Sequence, residues 1–378
     1  MKKRIFKAIN LIIFFIYNRI FGFFSCLKKN RIIFISESHH KLDGNLKAIF
    51  DALSNREFEL KVYMAPENTK FDFIDKLRLW NDLTSAKYIL LDDFYSLISS
   101  LHVRNNQEII QLWHGAGAYK KFGYSRINTG DSDVIKFHRG YKKYTKVIVS
   151  SEYVRPYYAE AFGVELNKIY ATGCPRTDIL YSNNIDKIKD KVIQRFPQFK
   201  GKKIVLFAPT YRGSRVADAY YDFEKANIDE VIEQLGDDYI VAVRWHTALN
   251  DNIKKGKVIA KYCKSAVDVS EYEDINDLLI TTDVLVTDYS SIVFDYALLN
   301  KPIVYFTYDK ESYSYNRGLY EPFDNYVYGT VAENREELIR AIRKEALDID
   351  KRKEFINKFM SCCDGNATER AINLILEK

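Results

Sequence analysis

"VTDYSSIVFDYALLNKPIVYF" (Val286–Phe306) changes character three times within one short stretch. An apolar run from Asp283 to Thr287 stops at Asp288, and two serines then open a stretch with helical spacing. That stretch ends at Asn300-Lys301-Pro302, before a second β-branched run. The order reads strand, turn, helix, strand, which is the repeating unit of an open parallel sheet. Asp-Tyr-Ser-Ser sits where strand becomes helix, and two readings fit it. Ser290 and Ser291 are good N-caps and serve the helix. The same place is also an anion site, where free backbone N–H groups and the helix dipole point at a ligand.

The same rhythm runs along the chain in both directions. Strands are expected at Arg31–Ser36, Leu60–Met64, Lys87–Asp92, Glu108–Trp113, Lys146–Ser150 and Lys168–Thr172. A second series is expected at Lys203–Ala208, Tyr239–Arg244, Ala266–Ser270, Asp283–Thr287 and Pro302–Phe306. Between the series, Tyr181 to Lys202 is polar and basic and reads as a linker region. With 378 residues the chain exceeds one comfortable core, so two domains are expected. The divisions are 1–29 as a membrane-associating segment, 30–190 and 191–348 as two α/β domains, and 349–378 as a terminal helix.

Charge is unevenly placed. Residues 1–31 hold eight Lys or Arg and no acid, so the remaining 49 basic residues face 51 acidic ones. A nearly neutral body excludes a nucleic-acid footprint spread over it. The five cysteines are odd in number and match no disulfide or metal spacing, which points to a reducing compartment.

The basic arm has a longest apolar run, Leu11–Tyr17, too short to span a bilayer. At 100° per residue, Lys3, Lys7, Asn10, Asn18 and Ser25 form one stripe on an otherwise Ile-, Leu- and Phe-rich helix. The expectation is a basic amphipathic helix lying in the plane of an anionic leaflet. A helix packed on its own domain and a membrane span are the competing readings.

Four motifs end strands, at the edge where open α/β sheets bind ligands. They are "QLWHGAGAYKKFG" (Gln111–Gly123), "APTYRG" (Ala208–Gly213), "RWHTA" (Arg244–Ala248) and "TDYSS" (Thr287–Ser291). His114, followed by Gly115 and Gly117, suits a histidine that acts on a ligand, or one that bonds a turn carbonyl. Lys120 and Lys121 add positive charge to that loop. Arg212, Arg244, His246 and the Ser290-Ser291 turn form a donor set that a pyrophosphate would satisfy. The chain has neither a Walker-type phosphate loop nor a dinucleotide fingerprint, and no His/Cys/carboxylate cluster with transition-metal spacing.

Taken in order, Trp113-His114-Gly115, "GCPRTD" (Gly173–Asp178), "APTYRG", "RWH", "DVLVTDYSSIVFDYALLNKPIVYF" and "DGNATER" (Asp364–Arg370) resemble the CDP-glycerol glycerophosphotransferase family. Those enzymes build teichoic acids and related capsular polymers. The resemblance implies a GT-B-like α/β fold, two Rossmann-like domains facing a cleft, attached peripherally to the cytoplasmic face of the bacterial cell membrane. It implies CDP-glycerol or CDP-ribitol as donor and an undecaprenyl-pyrophosphate-linked saccharide as acceptor, and it leaves a homo-oligomer open. His114 is expected as catalytic base. His246, with Arg212, Arg244, Ser290, Ser291 and Asp288, is expected on the donor's phosphates. Gly115, Lys120, Lys121, Arg176, Thr210 and Asp295 are further cleft candidates, and no resident metal is expected. "HGAGAYKKFG" is closer to primase-like members than to long-chain polymerases, and Thr247 stands where the family carries a proline.

Overall fold

The structure is a computed structural model, described for residues 2–65, 72–129, 139–213, 216–311, 313 and 318–376. Side chains of residues 2–8, 127–129 and 216, including the expected stripe members Lys3 and Lys7, lie outside the described set. The chain divides into two compact units: residues 1–117, 122–178 and 361–378 in one, 118–121 and 179–360 in the other.

The first unit is built on a six-stranded parallel sheet. Its strands are β1 (Lys28–Ile35), β2 (Glu59–Tyr63), β3 (Ala86–Leu91), β4 (Glu108–Gln111), β5 (Lys146–Ile148) and β6 (Ile169–Tyr170), in spatial order β2-β1-β3-β4-β5-β6. The second unit repeats the design with β7 (Lys203–Phe207), β8 (Tyr239–Val243), β9 (Val267–Asp268), β10 (Val284–Thr287), β11 (Ile303–Phe306) and β12 (Thr330–Ala332). Its order is β12-β11-β10-β7-β8-β9. All eleven expected strands form, and β12 is an addition too short and too polar at its flanks to stand out. Near-continuous burial in β1, β3, β7 and β10 is what a parallel sheet covered on both faces requires.

Each sheet has one place where strand order reverses, between β1 and β3 and between β7 and β10. Loops leaving the carboxyl ends there diverge and open a crevice, the usual ligand site of such sheets.

Two divisions differ from expectation. The boundary falls after Asp178 rather than near 190, because helix Ile185–Arg195 packs on the second unit, with Ile188 beside Leu180 and Ile280. Residues 349–378 form two helices, not one. Helix Ile349–Phe359 packs in the second unit, where Phe355 stacks on Phe294 at 5.3 Å between centroids. Helix Ala367–Leu376 closes the first core, with Ala371, Ile372 and Ile375 against Leu46, Ile49 and Leu53.

The N-terminal helix, Lys2–Phe24, carries the largest surprise. Among the described stripe members, Asn18 and Ser25 face the protein, Ser25 through Arg104. Asn18 is buried, its amide donating to Thr84 Oγ1 at 2.9 Å while its oxygen accepts the His102 N–H at 2.6 Å. Phe14 is buried on the same face beside Trp80, at 5.7 Å. Ile12, Ile16, Ile20, Phe23 and Phe24 are exposed. Polar groups near the helix's docking face are satisfied by specific partners, so the apolar side chains are the ones left outside. Among the described residues, no helix is long and apolar enough to cross a membrane.

Gly173 shows how the chain's end is locked in. Its φ of +89° suits glycine, and a Cβ there would meet the Cys362 carbonyl oxygen at 1.9 Å. Gly173→Ala should therefore destabilise the first unit by about 2 kcal/mol or more, read as a fall of several degrees in its melting transition.

Candidate active site

Three residues deliver His114 to the edge of the first sheet. Gln111, fully buried at the end of β4, accepts the Trp113 N–H on its side-chain oxygen at 2.8 Å. Asn45 donates to the carbonyls of Leu112 at 3.1 Å and Trp113 at 2.8 Å. Trp113 takes a left-handed φ of +53°, a strained choice for a bulky residue, held by these contacts. Its indole stacks on the His114 ring at 4.4 Å and on Phe122 at 4.7 Å.

The His114 residue is exposed, and its Nδ1–H donates to the Asp92 carbonyl at 3.1 Å. That bond fixes the tautomer and leaves Nε2 as a lone pair. Desolvation of the ring lowers its pKa from the ordinary value, and the nearby His39 lowers it further, while Asp93 and the Asp92 carbonyl oppose them. Water at the exposed edge tempers that desolvation. His39 itself donates from Nδ1 to Asp92 Oδ2 at 2.7 Å, and this bond pushes its pKa up to about 9. With Asp43 Oδ1 at 3.5 Å, the three groups sit close enough to suggest a cation, but His39 Nδ1 is already spent on Asp92. We read the trio as an ion-pair network.

Other candidates in this unit are placed by their loops. Gly115 offers its carbonyl to the Tyr158 hydroxyl at 3.1 Å. The Arg176 N–H donates to Asn45 Oδ1 at 3.0 Å, so Asn45 ties the "GCPRTD" loop to the histidine loop. Lys120 and Lys121 belong to the second unit instead. Lys120 pairs with Leu319, the Lys121 N–H reaches the Gly318 carbonyl at 3.1 Å, and the Lys120 ammonium lies 5.5 Å from the Tyr313 ring.

The second unit gathers its motifs where β7 and β10 part. Asp288, 1% exposed, accepts the Thr210 N–H at 2.8 Å and the Thr210 hydroxyl at 2.9 Å on one oxygen. Its other oxygen takes Arg212 Nη1 at 2.8 Å. Arg212 also forks onto Asp309, through Nε at 2.5 Å and Nη2 at 2.9 Å, and donates to the Thr210 carbonyl at 2.8 Å. Four tyrosine rings, of Tyr221, Tyr289, Tyr308 and Tyr313, surround the guanidinium. Burial works against its charge, but Asp288 and Asp309 outweigh this and raise its pKa. Arg212, Asp288 and Thr210, the first two expected on the donor's phosphates and the third a further cleft candidate, are engaged with one another and brace the motif loops.

Arg244 and His246 follow β8, and Ser290 and Ser291 follow β10. His246 caps helix Thr247–Lys254, its Nδ1 accepting the Ala248 N–H at 3.2 Å, so Nε2 carries the proton of the neutral ring. Arg244 donates to the carbonyls of Val269 and Tyr272 at 3.2 and 2.8 Å, and burial lowers its pKa. Ser290 Oγ accepts the Ile292 N–H at a long 3.4 Å, and Ser291 makes no side-chain cap bond. The helix they open, Ile292–Ala297, is short, so the two hydroxyls matter more than its dipole. Asp295 is buried on that helix.

The comparisons with known proteins agree with one another. The model of the family described as CDP-Glycerol:Poly(glycerophosphate) glycerophosphotransferase matches residues 16–377. The chain belongs to this family. It is 36% identical over 356 residues to the teichoic acid poly(ribitol-phosphate) polymerase of Bacillus spizizenii, covering 93% of this chain and 56% of that protein. A ribitol-phosphate polymerase of Staphylococcus aureus, TarL, is 34% identical, with 95% of this chain and 65% of that protein covered. The chain therefore spans little more than half to two thirds of these two relatives. The teichoic acid glycerol-phosphate primase of Bacillus subtilis is 33% identical over 83% of this chain and 78% of its own. In structure, the wall teichoic acid polymerase TagF matches with a TM-score of 0.78 at 22% identity, over 98% of this chain and 93% of that one. The fold is the same.

Two outcomes follow from the geometry. Arg212→Ala removes the counter-charge of the buried Asp288 and the half-buried Asp309 and should cost the second unit about 3–5 kcal/mol in urea unfolding, whereas Ser291→Ala should stay within about 0.5 kcal/mol. His39, with its folded pKa above the unfolded value, stabilises the first unit fully below about pH 6.5 and loses that contribution as pH rises through about 9. Wild-type stability should fall between pH 7 and 9 more steeply than that of His39→Gln.

Proposed function

We propose that this protein transfers glycerol phosphate from CDP-glycerol to a hydroxyl of a membrane-lipid-linked acceptor, releasing CMP, in teichoic acid or capsular polymer synthesis. The observation that carries the reading is His114: an exposed imidazole at a strand's carboxyl end, with Nδ1–H tied to the Asp92 carbonyl and Nε2 left as a base. Family membership supplies the donor class.

In this mechanism the acceptor hydroxyl attacks the phosphorus that bears the alditol. The bond from that phosphorus to the bridging oxygen breaks, and CMP leaves with the electron pair. His114 Nε2 takes the hydroxyl proton as the new bond forms, a contribution of roughly 10²–10⁴-fold. His246 Nε2–H, Arg244 and the Ser290 and Ser291 hydroxyls hold the donor's phosphates, and such positioning and electrostatics supply most of the catalysis in phosphoryl transfer. Two units, each built on a six-stranded parallel sheet, support a GT-B-like reading of the fold.

A second reading has its own support. The polymerases named for ribitol phosphate are 36% and 34% identical to this chain, so CDP-ribitol and repeated addition stand beside CDP-glycerol and single addition.

The membrane part of the proposal rests on helix Lys2–Phe24. Its exposed Ile12, Ile16, Ile20, Phe23 and Phe24 would enter an anionic leaflet, and the basic residues of 1–29 match that leaflet's charge. On this reading the protein sits peripherally on the membrane, and the proposal assigns it to the cytoplasmic face. Flotation with phosphatidylglycerol vesicles should recover wild type, and Ile12→Asp with Ile16→Asp should weaken recovery at least tenfold. Equal recovery of both would refute membrane binding through this face.

The activity is tested by CMP release from CDP-glycerol and CDP-ribitol with a lipid-linked disaccharide or a glycerol-phosphate-primed acceptor. Wild type should release CMP only with acceptor present, and His114→Ala should fall at least a hundredfold while binding donor normally. Undiminished turnover in the variant would remove His114 as the base.

A further inference from the structure

His39 lies outside every motif that led to the proposed function. It follows β1, and Asp92 follows β3, so the two meet at the reversal of strand order in the first sheet, where ligands bind in folds of this type. Asp92 touches two imidazoles at once. Its side chain accepts His39 Nδ1 at 2.7 Å, and its main-chain carbonyl accepts His114 Nδ1 at 3.1 Å. The two rings stand edge to face with centroids 6.5 Å apart.

The Asp92 carboxylate is 3% exposed, and its Oδ1 has no hydrogen-bond partner among the described residues. A buried carboxylate so placed requires a counter-charge, and His39 is the cation in contact with it. We propose that His39, held as an imidazolium on Asp92, is a positioning residue that fixes the Asp92 carbonyl beneath His114 and keeps His114 unprotonated. This rests on the reading of His114 as the base.

The charges around each ring give the sign. Asp93 and Asp92 face His114 and favour its protonation, while the His39 cation and desolvation oppose it. Asp92, Asp43 and Asp93 face His39 and hold its proton. Without His39, like-charge repulsion on His114 is lost and Asp92 has no counter-ion. His114 then becomes the nearest group able to supply one, so its affinity for a proton rises. A base that is partly protonated at neutral pH is partly out of service.

The test is a titration of the His114 imidazole by NMR in the full chain, for wild type, His39→Gln and Asp43→Asn. In His39→Gln the His114 midpoint should rise by about one pH unit. In Asp43→Asn, which leaves the His39–Asp92 contact intact, it should rise by much less. Under turnover, the acid limb of kcat should move up by the same amount in His39→Gln, with the KM for donor unchanged. A His114 midpoint that is unmoved or lower in His39→Gln overturns the inference, whether or not the protein releases CMP. A raised midpoint in a protein that turns over no CDP-alditol would refute the transferase reading alone.

Discussion

A single buried guanidinium holds the second unit's strand-end loops together. Arg212 bridges Asp288, which ends β10, to Asp309, which follows β11, while its own loop follows β7. Three neighbouring strands are thus tied at their carboxyl ends by one side chain and two carboxylates. Such a network is costly to desolvate and is kept only if every member is satisfied, which here is achieved by the Asp309 fork, the Thr210 contacts and a cage of tyrosines. The reward is geometric. The loops after β7, β10 and β11, the Ser290-Ser291 turn among them, are held in place by the chain's own side chains.

The first unit uses the same device in reduced form. Asp92 ends β3 as Asp288 ends β10, and each carboxylate sits where strand order reverses. Around Asp288 the partner is an arginine, always charged, and the result is a rigid frame. Around Asp92 the partner is a histidine, whose charge depends on its surroundings, and the neighbour is another histidine. One sheet edge is therefore braced by a cation whose charge is permanent, and the other by one whose charge can change with pH.

Most of this fold was legible in the sequence. Eleven strands and all four motif positions followed from β-branched runs ending in polar residues, because parallel strands buried on both faces leave a strong local signal. What was not legible depended on partners distant in the chain. Arg212 looks like a phosphate donor until Asp309, nearly a hundred residues on, is seen to occupy it. His39 and Asp92 end separate strands and gain meaning only when those strands are neighbours. Asn45 and Gln111 shape the His114 loop through backbone carbonyls and N–H groups, contacts that no residue spacing encodes. The N-terminal helix was amphipathic as expected but turned over, since Asn18 found Thr84 and the His102 N–H on the protein itself.

The central claim is that the bond made joins an acceptor oxygen to the alditol-bearing phosphorus. Mass spectrometry of the acceptor after incubation with CDP-glycerol or CDP-ribitol tests it most directly. The account predicts an acceptor heavier by one or more alditol phosphate units, with one CMP formed per unit added. An acceptor carrying an alditol without phosphate, with CDP as the co-product, would contradict it by placing the reaction at carbon.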